Sequence, residues 1–260
     1  MREPKVFLIG ETKVNDAGMQ DYLAHIGAPD WESDGPSDVE LMSEVMARSC
    51  YRSFGTELNP NITRVRPNNQ AHLANLIKTK HGSTLEHAWL NFMFCDVSRV
   101  VTQELVRHRA GTAVSQESLR FVRLTDDIDG YVPLVIRETP EAMELFCQTF
   151  DQLGEVQMRL TELLKVDEPG MPFSEKKQIT SAMRRLAPIG VATNIGWSAN
   201  IRAVRHVIEM RTAPGAEEEI RLLFAKVAEL CIERFPHLFG DYWAEEVDGF
   251  PWYRTEHAKV

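Results

Sequence analysis

Short segments rich in β-branched and aromatic residues interrupt a chain whose apolar residues otherwise recur at helical spacing, and this mixture limits the possible folds most. Strands are predicted at residues 5–12 and 88–98, with another within 110–135. Helices are predicted at residues 20–26, 38–54, 67–80, 98–109, 139–165, 174–186, 193–211 and 216–235. Because no repeat or linker separates these segments, we predict one α+β domain over residues 1–260, dominated by helices and containing a small, mostly antiparallel sheet.

The charge of the chain disfavours one broad class of partner. Lysine and arginine total 29 against 38 aspartate and glutamate residues, a net charge of −9, whereas proteins that bind nucleic-acid polymers present a cationic surface. An RNA-binding module is therefore a disfavoured alternative. The arginines nevertheless cluster within residues 107–123 and 184–211. Such local clusters suit a small anionic ligand, for example the phosphate of a nucleotide.

The cysteines indicate the compartment. The chain contains four, Cys50, Cys95, Cys147 and Cys231, and none forms a CxxC pair. This spacing argues against a zinc knuckle or a disulfide framework and suits a reducing environment. The amino-terminal residues lack the apolar region of a signal peptide, and no apolar run approaches the roughly 20 residues that cross a bilayer. We therefore expect a cytoplasmic protein.

The densest group of candidate functional residues spans residues 107–120. An Arg-His-Arg triplet at residues 107–109 closes a predicted helix, and compensation of the helix dipole is a sufficient structural explanation for the triplet alone. That explanation does not cover the small and hydroxylated residues that follow, or Ser-Leu-Arg at residues 118–120. Small residues let backbone N–H groups approach an anion, and arginine binds phosphate in bidentate fashion. The segment therefore predicts an anion-binding site.

A second cationic group lies between residues 184 and 211. It contains Arg184 before an Ala-Pro break, followed by Asn200, Arg202, His206 and Arg211. Arg202 and His206 are four residues apart and can share one face of a helix. Each arginine alone could be a solvated surface residue. Their number among apolar residues favours a binding function for the group.

The segment from His81 to His87 contains two histidines and a glutamate, which are potential metal ligands. The six-residue spacing does not place both histidines on one helix face, and no further ligand cluster lies nearby in the sequence. No metal site is therefore predicted. The segment is interpreted as a capped turn that enters a strand, or as a loop that contacts a cofactor.

Together these segments resemble the flavin-dependent thymidylate synthases. The Arg-His-Arg triplet followed by Ser118-x-Arg120 resembles the signature of that family. Three further segments match in register: Ala47-Arg48-Ser49-Cys50-Tyr51, His81-Gly82-Ser83-Thr84-Leu85-Glu86-His87, and Arg184-x-x-x-Pro188 with Asn200-x-Arg202 and Arg211.

The resemblance implies a thymidylate synthase-complementing-protein-like fold, assembled as a homotetramer whose ligand sites form between subunits. It implies the methylation of dUMP to dTMP, with FAD as cofactor, methylenetetrahydrofolate as carbon donor and NADPH as reductant. FAD would be bound by His81, Ser83, Arg107, His108, Arg109, Ser115, Asn200, Arg202 and His206. The nucleotide would be bound by Glu104, Gln116, Glu117, Ser118, Leu119, Arg120, Arg184 and Arg211, of which Ser118 and Arg211 are the predicted catalytic residues.

Three features depart from the family pattern. Eight residues separate Arg109 from Ser118 where seven are common, Glu104 replaces a frequent glutamine, and His206 replaces a frequent asparagine. Because glutamate only accepts where glutamine also donates, we expect the contacts with the nucleotide to differ there, and the identity of its sugar stays open. UMP is therefore an alternative substrate. A non-catalytic nucleotide-binding regulator is the alternative to an enzyme.

Overall fold

The computed structural model describes residues 2–124, 128–258 and 260. The helices in this part of the chain are α1 (Asp16–Ile26), α2 (Asp38–Tyr51), α3 (Asn69–Lys78), α4 (Arg99–Leu105), α5 (Leu134–Arg137), α6 (Pro140–Leu163), α7 (Phe173–Met183), α8 (Ile201–Arg211), α9 (Glu218–Arg234) and α10 (Pro236–Phe239). The strands are β1 (Lys5–Glu11), β2 (Trp89–Ser98), β3 (Thr112–Gln116), β4 (Ala192–Asn200), β5 (Trp243–Val247) and β6 (Phe250–Arg254). Short 3-10 turns occupy Gly82–Glu86 and Arg184–Leu186. The predicted α+β class is confirmed.

The described strands form two small sheets. The larger sheet has the strand order β1-β2-β4-β3, and the smaller is the antiparallel hairpin of β5 and β6. At the hairpin turn, Asp248 and Gly249 have φ angles of 57° and 78°. Positive φ at both central residues is what a two-residue type I′ turn requires, and Asp-Gly is among its preferred sequences.

The chain forms two compact units. The first comprises residues 1–7, 93–108 and 114–196, and the second comprises residues 8–92, 109–113 and 197–260. The chain therefore passes from one unit to the other within each strand of the four-stranded sheet. The single domain over residues 1–260 stays a prediction.

The core of the first unit forms around α6. Phe150 on this helix packs with Ile128 and Val191 and stacks on Phe146, with ring centroids 4.6 Å apart. Only three residues of α6 are buried, Phe150, Gly154 and Gln157. Its opposite side is exposed, as is expected for an amphipathic helix. In the described part of the chain, no helix combines the length and apolar composition that a membrane span requires.

The core of the second unit supports the end of β4. The buried Trp197 stacks on Phe92 with centroids 5.8 Å apart and meets Phe224 of α9 edge-to-face at 5.5 Å. On α8, the buried Arg205 makes a bidentate ion pair with Asp241, with both N–O distances 2.7 Å. These contacts fix the junction between β4 and α8, where several predicted ligand-binding residues lie.

Two predicted helix boundaries are wrong. Residues 193–211 are not one helix, since β4 occupies Ala192–Asn200 and α8 begins only at Ile201. Alternate residues of β4 from Thr193 to Ala199 are buried, which is the period of a strand and not of a helix. The helix predicted at residues 98–109 ends at Leu105, so the Arg-His-Arg triplet lies in the turn that follows it.

Candidate active site

A cavity in the second unit brings together three of the residues predicted to bind a cofactor. It has a volume of about 380 Å³, within the range of small-molecule sites. Its lining residues are Glu86, Ala110, Gly111, Asn200, Arg202, Ala203, His206 and Val260. We call it the Arg202 cavity. Its amide, guanidinium and imidazole groups suit a polar, anionic ligand.

Asn200 is held in place by two hydrogen bonds and a close backbone approach. The Oδ1 atom of Asn200 accepts from the backbone N–H of Ala203 at 2.9 Å and so caps α8. The backbone N–H of Asn200 donates to the Gly111 carbonyl at 3.0 Å. Gly111 has a φ of 67°, and a Cβ atom there would lie 2.4 Å from Nδ2 of Asn200. Only glycine fits this position without strain.

Arg202 has a protein partner at two points of its guanidinium group. Its Nε atom donates to the backbone oxygen of Val260 at 2.8 Å, and its Nη1 atom lies 2.5 Å from a carboxylate oxygen of Glu86. The side chains of the ion pair are 45% and 46% exposed, and exposed pairs contribute at most about 1 kcal/mol. An anionic ligand in the cavity can therefore compete with Glu86. Glu86 belongs to one of the sequence motifs, but no ligand-binding role was predicted for it.

The turn from His81 to Glu86 packs against Arg202 without bringing every predicted residue to the cavity. Neither His81 nor Ser83 lines it. His81 is exposed, and its Nδ1 atom lies 3.0 Å from the hydroxyl of Tyr51. A Cβ atom at Gly82 would lie 2.7 Å from Nε of Arg202, so the turn determines where that guanidinium sits. Among the described residues, no group of three or more His, Cys, Asp and Glu is placed to hold a metal ion.

The Arg-His-Arg triplet follows α4 as an exposed cationic turn. The backbone N–H groups of Arg107 and His108 donate to the carbonyls of Glu104 and Leu105 at 3.2 and 3.1 Å. Arg107 and Arg109 are exposed. Their guanidinium groups form no hydrogen bond or ion pair with a described residue, so both are available to an anion.

The predicted nucleotide-binding segment, residues 116–120, lies in the first unit. Gln116 Nε2 donates to the Thr102 hydroxyl at 3.1 Å, and the Glu117 carboxylate accepts from the backbone and side-chain amides of Asn194 at 3.2 and 3.0 Å. The Ser118 hydroxyl oxygen accepts from the N–H of Arg120 at 3.3 Å. Two of these side chains therefore already serve the fold, while the Ser118 O–H can still donate.

Arg184 lies beside this segment. With Leu119, it lines a narrow cleft in the first unit of about 10 Å³, whose other lining residues are Arg123, Leu124, Gln157, Thr180 and Met183. That volume holds about one water molecule. The exposed Arg120 and Arg184 side chains form no ion pair with a described residue. The cleft therefore offers cations but no room for a whole nucleotide.

Two further arginines, Arg211 and Arg99, line neither the Arg202 cavity nor the cleft beside Arg184. Arg211 ends α8 nine residues after Arg202, roughly 14 Å further along the helix axis, and does not line the Arg202 cavity. Arg99, which no motif in the sequence singled out, donates from Nη2 to the Glu117 carbonyl at 3.1 Å. A cation at the first residue of a helix opposes the helix dipole. This unfavourable placement is the feature of the sequence that could have marked Arg99 as a candidate functional residue.

Comparison with known proteins identifies the family. A family model described as thymidylate synthase complementing protein matches residues 35–237. A flavin-dependent thymidylate synthase of Corynebacterium diphtheriae is 33% identical over 220 residues, covering 82% of this chain and 83% of that protein. The chain belongs to the flavin-dependent thymidylate synthase family. The resemblance seen in its motifs is thereby confirmed. A relative with the same description from Mycobacteroides abscessus is 33% identical over 215 residues, covering 82% and 83% of the two chains.

Solved structures support the fold of this family member. ThyX from Helicobacter pylori, crystallised with FAD and dUMP, aligns with a TM-score of 0.59 at 17% identity, covering 92% of this chain and 98% of that one. The UMP/dUMP methylase PolB from Streptomyces cacaoi, bound with 5-Br dUMP, aligns with a TM-score of 0.63 at 14% identity, covering 92% and 94%. At these identities the likeness shows a shared fold.

Proposed function

We propose that this chain methylates carbon 5 of dUMP to give dTMP, with FAD as cofactor, methylenetetrahydrofolate as carbon donor and NADPH as reductant. The observation that carries the proposal is the grouping of Asn200, Arg202 and His206 around one cavity in a member of this family. Relatives that cover most of the chain are flavin-dependent thymidylate synthases. We further propose that the enzyme acts in the cytoplasm.

The residues of the Arg202 cavity fit the anionic part of FAD. Arg202 can neutralise a phosphate, since its exposed pair with Glu86 is exchangeable. Asn200 supplies a fixed side-chain amide, and His206 an exposed imidazole. When bound, FAD supplies the hydride chemistry, and the protein binds and orients it. The remaining proposed FAD contacts are His81, Ser83, Arg107, His108, Arg109 and Ser115.

The segment around Ser118 fits the nucleotide. The Ser118 hydroxyl, Arg120 and Arg184 would bind its phosphate, as charge-assisted hydrogen bonds favour. Arg211 would bond the uracil edge, where a guanidinium stabilises negative charge as carbon 5 becomes nucleophilic. The other proposed nucleotide contacts are Glu104, Gln116, Glu117 and Leu119.

A homotetramer would complete these sites. The cleft beside Arg184 holds about one water molecule, so most of a nucleotide bound there would lie outside the cleft. Residues of another subunit would have to supply its remaining contacts. The chain also exposes apolar residues that a second copy could cover. On α6, Leu145 and Leu163 are 65% and 60% exposed, and large exposed apolar patches commonly mark interfaces.

The same chemistry on UMP is the second candidate. Glu104 replaces a frequent glutamine and the loop between Arg109 and Ser118 is longer than the common pattern, so the sequence leaves the sugar of the nucleotide open. A structural neighbour, PolB, is described as a UMP/dUMP methylase.

The test begins with the purified protein. We expect visible flavin absorption, or a thermal shift on addition of FAD, and formation of dTMP from dUMP when methylenetetrahydrofolate and NADPH are added. EDTA should leave the rate unchanged. If the protein does not bind FAD, the proposal that it is this enzyme is refuted. Binding of FAD and dUMP without formation of product would indicate a regulator. Faster turnover of UMP than of dUMP would favour the second candidate.

A further inference from the structure

The last residues of the sequence reach the Arg202 cavity. We call residues 255–260 the tail, and the structure describes all of them except residue 259. Val260 lines the cavity and is only 7% exposed. Its backbone oxygen accepts from Nε of Arg202 at 2.8 Å. Since chain ends are poorly ordered unless specific contacts fix them, this hydrogen bond and the burial of the valine define a docked tail.

A second contact fixes the beginning of the tail. The Thr255 hydroxyl donates to Oδ2 of Asp241 at 2.5 Å, and the backbone N–H of His257 donates to the Thr255 hydroxyl oxygen at 3.0 Å. Asp241 is also the carboxylate that pairs with the buried Arg205. Arg205 and Arg202 lie three residues apart on α8. The two contacts therefore hold both ends of the tail near the same helix.

The docked tail fits only because residue 82 is a glycine. A Cβ atom at Gly82 would lie 2.5 Å from the carbonyl carbon of Val260 and 2.7 Å from its oxygen. Glycine is the residue that permits such a close approach of backbone. The turn that carries Gly82 and the tail are therefore packed without spare room.

The docked tail uses the group that an anionic ligand would need. Val260 occupies the Nε atom of Arg202, and Glu86 occupies its Nη1 atom. A phosphate binds arginine best through two parallel N–H···O hydrogen bonds, and neither of these atoms can take part while its protein partner stays. The Glu86 side chain is 46% exposed and exchanges readily, whereas Val260 is buried. The tail is therefore the larger obstacle to a ligand.

We propose that the tail is an autoinhibitory contact, which the phosphate groups of FAD displace from Arg202. In the ligand-free chain the Val260 oxygen lies where a phosphate oxygen would bind. The apparent affinity of a ligand falls with the fraction of molecules whose site is open, so docking of the tail raises the concentration of FAD that the protein requires. The inference rests on the proposed function, because it takes the Arg202 cavity as the FAD site.

The first experiment uses Val260→Ala in the complete chain. The substitution removes part of a buried apolar side chain without changing the backbone, so it favours the undocked tail. We expect the Kd for FAD, measured by fluorescence titration of the ligand-free protein, to fall about 3- to 10-fold, because more molecules have an open cavity. The control is Val135→Ala, the same change at a side chain that is 73% exposed. It should leave the Kd unchanged.

The second experiment tests docking of the tail without any ligand. The Cβ atom added by Gly82→Ala would collide with the backbone of Val260, so this substitution should drive the tail out and lower the Tm. In a protein that already carries Val260→Ala, the tail is less often docked, and Gly82→Ala should lower the Tm by less. The two changes in Tm should therefore not be additive, as expected for residues in contact.

The other outcomes would count against the proposal. A higher Kd for FAD in Val260→Ala would show that the tail is part of the bound site, and an unchanged Kd would show that it does not compete with FAD. Additive changes in Tm would show that the tail does not dock against Gly82. Each of these results would overturn the role of the tail while leaving the proposed function intact. Failure of the wild-type protein to bind FAD would overturn both.

Discussion

Gly111→Ala tests whether the Arg202 cavity depends on the close approach between Gly111 and Asn200. The added Cβ atom would lie 2.4 Å from Nδ2 and 2.8 Å from Cγ of Asn200. The Asn200 side chain cannot simply move away, because it is buried and caps α8 through Ala203. The substitution also places alanine at a φ of 67°, in the left-handed region.

These two effects can be estimated separately. The left-handed backbone costs about 1–2 kcal/mol for a residue with a Cβ atom. Loss of the helix cap costs roughly 1 kcal/mol, and up to about 2 kcal/mol in some proteins. The free energy of unfolding should therefore fall by about 2–4 kcal/mol, which corresponds to a Tm lower by roughly 4–16 °C for a chain near this size. A displaced Asn200 amide should also weaken FAD binding by about 3- to 10-fold.

Two other glycines provide matched controls. Gly170 has a φ of 89°, but no atom lies within 4 Å of the position that an added Cβ would take, so Gly170→Ala isolates the backbone strain. Gly215 has an ordinary φ and equally open surroundings, so Gly215→Ala carries neither effect. Differential scanning calorimetry gives the Tm of each variant, and fluorescence titration gives the Kd for FAD. If Gly111→Ala matched Gly170→Ala in both quantities, the contact with Asn200 would have no energetic role.

Three further outcomes are expected. Asp241→Asn should lower the free energy of unfolding by about 3–5 kcal/mol, because it leaves the buried Arg205 without its counter-charge, whereas Glu245→Gln, in an exposed ion pair, should cost at most about 1 kcal/mol. Burial alone would raise the pKa of Asp241, but the hydrogen bonds and charge of Arg205 lower it below its usual value. The stabilisation from the Arg205–Asp241 pair should therefore be full above about pH 4 and lost as the pH falls further. Acid denaturation of the wild type and of Asp241→Asn measures it. Arg120→Ala should weaken dUMP binding by about 2–5 kcal/mol with FAD binding retained, and titrations that showed equal losses would refute this division of ligands. Arg211→Ala should slow single-turnover flavin oxidation at saturating dUMP by ~100- to 1000-fold, and a wild-type rate with weaker dUMP binding would make Arg211 only a binding residue.

Several elements were predictable because their signals are local. The strand at β1 and the helices at α2, α3 and α9 follow from apolar spacing and cap residues. The hairpin of β5 and β6 was missed although its Asp-Gly turn at residues 248–249 is a strong local signal. The strand β4 was missed because its alternating residues run directly into the helical pattern of α8, and only Asn200 marks the boundary.

The residues that could bind anions and the family of the chain were both predictable from the sequence, because both follow from residue types at short spacing. The sequence placed Asn200, Arg202 and His206 in one group, and the structure brings them to one cavity. The partners of these residues depend on how the chain packs. Glu86 reaches Arg202 across 116 positions of the sequence, and Arg99 acquires the repulsion of Arg184 only when the chain folds. Spacing along a chain specifies which residues share a helix or a turn, whereas charge interactions depend on distance and burial, which packing alone sets.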